Sequence, residues 1–296
     1  YFNKFLFGHN PYGNPIYGSR KTIEALTSED LKEFFDVYYD YSQAGIAVVG
    51  DFTSDKMKQR ISSLFLSTPM RDKNNLMKDR KEDLLHFSNS RVLLVDKDDS
   101  RETTFLIGGT GVSWSNKEFT QIDVINTILG GRFTSWLNDE LRVNAGLTYG
   151  AGSKFRGYKY SGTFYVSSFT ATETTIDAID LALEVLNRLH TKGIDEETLL
   201  SAKNYVKGQF PLDYETSGDL AGLLTSMHFY GLDDSFINDF EKNVNGMTVE
   251  IAKDIVSKYF PKENLQFVLI GKADEIRDKV KKYGELTEKN IDDDGY

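Results

Sequence analysis

Two stretches of equal length decide the fold: TSEDLKEFFDVYYDYSQAGIAVVG at residues 27–50 and TVEIAKDIVSKYFPKENLQFVLIG at residues 248–271. They align without a gap, so that Thr27 corresponds to Thr248 and Gly50 to Gly271. In each stretch a threonine precedes an apolar pattern with helical spacing, and a strand-like run then ends at a glycine. One fixed offset across the whole helix–strand unit indicates a duplicated domain.

The two copies differ in what precedes them. A long, regular body reaching back to about Arg91 comes before the second copy, whereas only residues 1–26 come before the first. When Arg91 is shifted back by the offset between the copies, the expected start of the first copy falls far upstream of Tyr1. The sequence therefore predicts that roughly 130 residues of a repeated first domain are missing. The chain is accordingly expected to be a fragment or a truncated relative.

Apolar patterns along the second copy mix strands and helices. Strand-like runs fall at residues 92–95, 103–107, 147–155 and 160–170, and helical patterns at 119–129, 176–189, 198–207 and 218–230. This mixture predicts an α+β fold of duplicated sandwich domains, with helices packed on one face of a mostly antiparallel sheet and the first copy truncated. The expected organisation is the C-terminal part of a first domain at 1–70, a charged linker at 71–90, a complete second domain at 91–284 and an acidic tail at 285–296.

Composition excludes several classes of function. The chain has 45 acidic and 35 basic side chains, and a net charge of −10 argues against nucleic-acid binding. It contains no cysteine, which excludes disulfides, thiolate metal sites and cysteine nucleophiles and leaves the compartment open. No apolar run approaches the ~18 residues of a membrane span. The four histidines, His9, His86, His190 and His228, are too far apart in sequence to form a helical zinc pair, so we expect no metal site in this chain.

The segment LGGRFTSWLNDELRVNAGLTYG, residues 129–150, carries the candidate site. Arg142 falls in the last turn of a short predicted helix, and Tyr149 follows on the next predicted strand. Gly146 between them permits a sharp reversal, so both side chains could converge and donate hydrogen bonds to a peptide carbonyl or a developing oxyanion. A purely structural interpretation stays open, because arginine suits a helix C-terminus and tyrosine suits a half-buried strand.

The same segment resembles the second-domain signature of the M16 (insulinase/pitrilysin-like) zinc peptidases. The resemblance rests on Leu-Gly-Gly, Ser-x-Leu, Glu-Leu-Arg and Gly-Leu-x-Tyr in order, and it extends over nearly the whole chain. Further matches are Gly8-His9-Asn10-Pro11-Tyr12-Gly13 with Gly18, the two repeat ends at Val49-Gly50-Asp51 and Ile270-Gly271-Lys272, and Ala202-Lys203. The chain is most similar to the short bacterial and mitochondrial-processing type.

This resemblance implies a clam-like peptidase that encloses a peptide or unfolded protein between two halves. In the family one half carries His-x-x-Glu-His and a distal glutamate, which bind zinc and activate water. The other half supplies the substrate-clamping pair, which corresponds to Arg142 and Tyr149 here. Because His-x-x-Glu-His occurs nowhere in this sequence, we expect no catalytic residue, zinc or peptide cleavage from the chain alone. Zinc is expected in the missing first-domain part or in a partner subunit, and a homo- or heterodimer with an M16-type half is the expected assembly.

Two other functions remain as alternatives. The chain could be a catalytically inactive scaffold or assembly subunit that binds a fixed protein partner, although retention of both Arg142 and Tyr149 favours substrate clamping. It could also be an unrelated α+β binding domain, which the ordered repeat argues against.

Overall fold

The computed structural model describes residues 1–39, 44–65 and 86–293. Its centre is a six-stranded sheet made of β1 (Arg91–Asp96), β2 (Glu102–Gly111), β3 (Ala151–Gly157), β4 (Gly162–Ala171), β5 (Gln266–Gly271) and β6 (Glu285–Asn290). The strand order is β3-β4-β2-β5-β1-β6. Pairing is antiparallel from β3 to β5, and β1 pairs in parallel with both β5 and β6. The predicted α+β class is confirmed, with a mixed sheet whose antiparallel pairs predominate.

Helices lie before, between and after these strands. Within the described ranges before residue 91, the helices are α1 (Phe2–Phe7), α2 (Arg20–Ala25), α3 (Ser28–Tyr38) and α4 (Ser54–Phe65). Two short ones follow β2: α5 (Phe119–Asn126) and α6 (Trp136–Asn138). The longer series between β4 and β6 comprises α7 (Thr175–Thr191), α8 (Glu196–Leu212), α9 (Ser217–Tyr230), α10 (Ser235–Asn238), α11 (Phe240–Asn245), α12 (Val249–Tyr259) and α13 (Ala273–Val280).

The main core lies between one face of the sheet and the helices of the second copy. Alternation along β1 shows the two faces: Val92 and Leu94 join this core, whereas Leu93 and Val95 join a second cluster on the opposite face. All four side chains are fully buried, because β1 has a neighbour on each edge and cover on both faces. A strand in that position is expected to be a continuous apolar run.

Helix α1 provides the cover on the opposite face. Its Phe2, Phe5, Leu6 and Phe7 are buried against Leu93, Val95 and Val268. The following turn is held by stacking of Tyr12 on Tyr158 at a centroid distance of 4.7 Å. The first residues of the chain therefore pack on the second-copy sheet. Burial of each large apolar side chain stabilises this packing by roughly 1.5–3 kcal/mol.

The two copies of the duplicated unit have the same helix but differ in how that helix is packed. Both helices, α3 and α12, span 11 residues and begin after a threonine whose Oγ1 accepts a backbone N–H. The α12 face is buried at Ala252, Ile255 and Val256. Its counterpart on α3 is solvent-exposed at Leu31, Phe34 and Phe35. One sequence pattern thus has a packed and an unpacked version in the described residues.

The strand predicted at residues 46–50 is wrong. Its counterpart β5 is central to the sheet, but residues 44–49 have no strand conformation and leave Ile46 and Val48 exposed. A strand depends on hydrogen-bonded neighbours, and the described residues offer none there.

The C-terminal end of the domain also differs from the expectation. The sequence predicts an acidic tail at residues 285–296, yet Glu285–Asn290 form edge strand β6, paired in parallel with β1. An edge strand open to solvent has a polar pattern that resembles a tail in sequence, which explains the difference. Within the predicted linker, residues 71–85 lie outside the described residues, as do 294–296 of the tail.

Candidate functional site

Two π-helical turns shape the region around the predicted site. The first, Thr127–Gly131, continues α5, and the second, Asp139–Asn144, continues α6. Such wide turns are often found at functional sites because they redirect side chains within a helix. Gly130 in the first turn is required for packing, since a Cβ there would lie 2.1 Å from the backbone nitrogen of Ser153 on β3.

An open cavity of about 520 Å³ lies beside these turns at the start of β3. The structure brings both sequence-predicted residues to it: Arg142 from the second π turn and Tyr149 from the loop before β3. Gly146 between them has a φ of 63°, the left-handed conformation expected for a chain reversal. Thr104 and Phe169 of the neighbouring strands form the floor of the cavity.

The two side chains are exposed to different degrees. Tyr149 is 83% exposed, so its hydroxyl is not buried against core residues. Arg142 is half-buried and its guanidinium lies 4.6 Å from the ring centroid of Phe133. It forms no ion pair within the described parts of the chain. A positive charge without a carboxylate partner leaves guanidinium donors for a ligand.

The loop that carries Tyr149 is fixed on both sides. Thr148 Oγ1 accepts the backbone N–H of Gly150 at 3.1 Å, and Ser168 Oγ donates to the Gly150 carbonyl at 3.0 Å. On the other side Thr170 Oγ1 donates to the carbonyl of Leu147 at 2.7 Å. The exposed phenol is therefore presented from a backbone that the β4 side chains hold in place.

The support of Arg142 comes from the far side of its helix. Glu140 accepts a hydrogen bond from Arg188 Nη1 at 2.8 Å, and Arg188 also lies 4.2 Å from the ring of Trp136. Hydrogen bonds from Asn144 and Arg188 lower the pKa of the Glu140 carboxyl below its ordinary value. This ion pair ties the second π turn to α7 and orients the opposite face toward the cavity.

Among the cavity residues that the sequence did not predict, Arg132, Phe133 and Asn138 come from the same stretch of chain as Arg142. Asn138 Nδ2 donates to the Phe133 carbonyl at 2.6 Å, while its Oδ1 accepts the Ala151 N–H at 3.5 Å. It thereby fastens the turn after α5 to the start of β3. All three residues lie within the candidate segment 129–150, so their closeness to Arg142 in sequence is the feature that could have predicted them.

The residues present do not fit a zinc site. In the ranges 1–39, 44–65 and 86–293, no three histidine, aspartate or glutamate side chains group as metal ligands. His9 and His86 lie outside the helices and strands, whereas His190 is on α7 and His228 on α9. No reaction step through zinc follows from this part of the chain.

Comparison with known sequences gives a consistent set of similarities. The profile of the family described as "Peptidase M16 inactive domain" matches residues 25–206. An uncharacterised zinc protease of Streptomyces coelicolor is 22% identical over 269 residues, covering 87% of this chain and 57% of that protein. A Helicobacter pylori protein named non-peptidase homolog YmxG is 21% identical over 269 residues, covering 90% of this chain and 60% of that protein. The chain thus spans about half the length of the curated relatives it matches.

Solved structures show the same fold. The peptidase M16 inactive domain from Pseudomonas fluorescens superposes with a TM-score of 0.80 at 25% identity, over 92% of this chain and 63% of that one. A Helicobacter pylori protease has a TM-score of 0.81 at 22% identity, over 89% and 64% respectively. Among the helices described here, none has both the length and the apolar character of a membrane span.

Proposed function

The chain belongs to the peptidase M16 family, and from this premise we propose that it is the non-zinc portion of an M16-type metallopeptidase. In this role it clamps the peptide substrate and closes the chamber, and it performs no metal-dependent hydrolysis itself. The observation that carries the proposal is the position of Arg142 and Tyr149 on one open cavity.

The chemistry of the pair suits a carbonyl oxygen. A guanidinium and a phenol are both hydrogen-bond donors, and neither is a base near neutral pH. Such donors bind a peptide carbonyl and bind it more strongly as negative charge develops on the oxygen. The fixed loop around Tyr149 lowers the cost of reaching that geometry, because the backbone needs no reorganisation when the substrate arrives.

Hydrolysis is assigned to a zinc-bearing M16 half, on a partner subunit or on another part of the same protein. The exposed apolar face of α3 supports an association with further chain, because large apolar patches on a folded surface mark interaction sites. The substrate is an unfolded protein or peptide that lies between the two halves.

A second candidate function is an inactive scaffold that binds a fixed partner. The relative named non-peptidase homolog favours it. The two functions differ in one respect: a scaffold holds its partner without needing Arg142 or Tyr149, whereas a clamp needs both during turnover.

Mixing experiments test the proposal. The chain is combined with a zinc-bearing M16 half from the same source, and cleavage of an internally quenched peptide is measured for each part and for the mixture. We expect cleavage to appear, or to rise strongly, only in the mixture, and elemental analysis to find zinc only in the other half. One tightly bound zinc per molecule of this chain, with chelator-sensitive cleavage, would contradict the assignment.

A further inference from the structure

A second cavity adjoins the one that holds Arg142 and Tyr149. It measures about 310 Å³ and lies on the face of the sheet that α1 partly covers. Thr104 lines both cavities, so they meet at this residue. Leu106, Ile270 and Arg156 line the second cavity beyond it.

Strand register places residues of both cavities in one row across the sheet, and the two adjoining cavities together are called the groove. Phe169 on β4 is paired with Thr104 on β2, and Thr104 is paired with Ile270 on β5. Paired residues point to the same face, so these three side chains form a row perpendicular to the strands. With strands about 4.8 Å apart, the row extends roughly 14 Å from the Tyr149 loop, which is the length of about four extended residues.

The charges that line this groove are all of one sign. Arg132 and Arg142 line the first cavity and Arg156 lines the second, whereas no aspartate or glutamate in the described ranges lines either one. This contrasts with a chain whose net charge is −10.

None of the three arginines is neutralised by a carboxylate in the part of the chain that the structure describes. Arg132 donates to the hydroxyl of Ser201, and Arg156 lies 5.6 Å from the ring of Tyr158. The floor between them is apolar at Phe169, Leu106 and Ile270. A ligand that matches this surface carries both apolar and negatively charged side chains.

We propose that the groove selects acidic peptides: a chain clamped at Arg142 and Tyr149 crosses the strands over Thr104 and places a carboxylate at Arg156. This inference rests on the proposed clamping function and adds the substrate class. Basic peptides are disfavoured, because their side chains would meet Arg142 and Arg156 as like charges.

The test compares three labelled peptides of about ten residues, long enough to fill the groove at ~3.4 Å per residue. They share apolar positions and differ only in carrying glutamate, glutamine or lysine at the others. Binding to the whole 296-residue chain is measured by fluorescence anisotropy. We expect the glutamate peptide to bind most tightly and the lysine peptide most weakly, and the difference to shrink as salt shortens the Debye length.

Variants then locate the selectivity. Arg156→Gln should lower the affinity for the glutamate peptide about tenfold, which is the loss expected when one charge-assisted hydrogen bond is removed. The affinity for the glutamine peptide should stay unchanged. Thr104→Glu should abolish the preference by placing a carboxylate where the cavities meet, while Thr104→Gln retains it. Lys253→Gln, which removes one exposed charge from α12, is the matched control and should change nothing.

The outcomes separate this inference from the proposed function. If all three peptides bind alike and Arg142→Lys weakens them equally, the clamp stands and the acidic selectivity is wrong. If the preference survives both Arg156→Gln and Thr104→Glu, the groove is not its source. If no peptide binds, the acidic selectivity of the groove is wrong, whereas the clamp is judged separately by turnover of the assembled halves. Thermal unfolding of each variant confirms that the fold is retained.

Discussion

Replacing Leu6 by alanine should destabilise the second-copy domain, although Leu6 lies far before its first strand at Arg91 in the sequence. The Leu6 side chain is fully buried in the cluster between α1 and the sheet, beside Leu93 and Val95. Truncation removes most of this side chain and leaves a cavity that the neighbouring strands cannot fill. Buried leucine-to-alanine changes cost about 2–5 kcal/mol. At ~2–4 °C per kcal/mol, the melting temperature should fall by about 4–20 °C.

Leu31→Ala is the matched control for this variant. Leu31 lies on α3, is 60% exposed and lies outside the buried clusters that the described residues form. We expect its effect to stay within ~0.5 kcal/mol. Both variants are measured by urea denaturation, with tryptophan fluorescence reporting on Trp114 and Trp136 in the second copy. Equal stability of Leu6→Ala and the parent chain would refute the conclusion that α1 is part of the second-copy fold.

Three further predictions concern the support of the candidate site. Gly130→Ala should destabilise the protein by about 1–3 kcal/mol, because the added Cβ would lie 2.1 Å from the Ser153 backbone nitrogen. Gly222→Ala is the matched control in the same denaturation assay. It should be neutral or stabilising, because the added Cβ would have no neighbouring atom within 4 Å. The pKa of Glu140 is lower in the folded state than its ordinary 4.5, so its contribution to stability is present above that value and is lost as pH falls through the folded pKa. Glu140→Gln should flatten this part of the stability-versus-pH curve. An unchanged loss of stability at acid pH in this variant would contradict the role given to Glu140. Asn138→Ala should loosen the link between the Phe133 turn and β3, seen as faster hydrogen exchange at Ala151, whose N–H bonds to Asn138.

Much of the fold follows from patterns that act locally. Residues 92–95 are a continuous apolar run and form β1, and the apolar spacing of residues 176–189 appears as α7 ending before Gly193, whose φ is 71°. Periodicity and a left-handed glycine suffice for such elements. The β3–β4 hairpin was also predictable, although β3 begins at Ala151 rather than Leu147 because the preceding loop bonds to β4 side chains.

What the sequence could not provide depends on distant partners. Residues 46–50 have the same apolar pattern as β5 yet form no strand. Strand formation depends on hydrogen bonding to neighbouring strands, and the sequence of the segment itself does not provide those neighbours. The polar pattern of β6 did not predict a strand, because this edge strand is held by its pairing with β1. At the site, the segment 129–150 identified Arg142, Tyr149 and the reversal at Gly146. The groove beyond Thr104 was not predictable, because it is built by strands far apart in sequence.

Whether Arg142 and Tyr149 clamp the substrate is decided by turnover of a quenched peptide by the reconstituted pair of halves, with Tyr149→Phe in this chain. This change removes only the hydroxyl of a side chain that is 83% exposed, so the fold and the association with the zinc-bearing half should be retained. Tyr17→Phe, at a tyrosine that is 88% exposed, is the matched control. We expect Tyr149→Phe to lower kcat by about 10²–10³, the effect of losing one oxyanion donor, and Tyr17→Phe to have no effect. Unchanged turnover of Tyr149→Phe in a fully assembled enzyme would contradict the clamp and favour the scaffold.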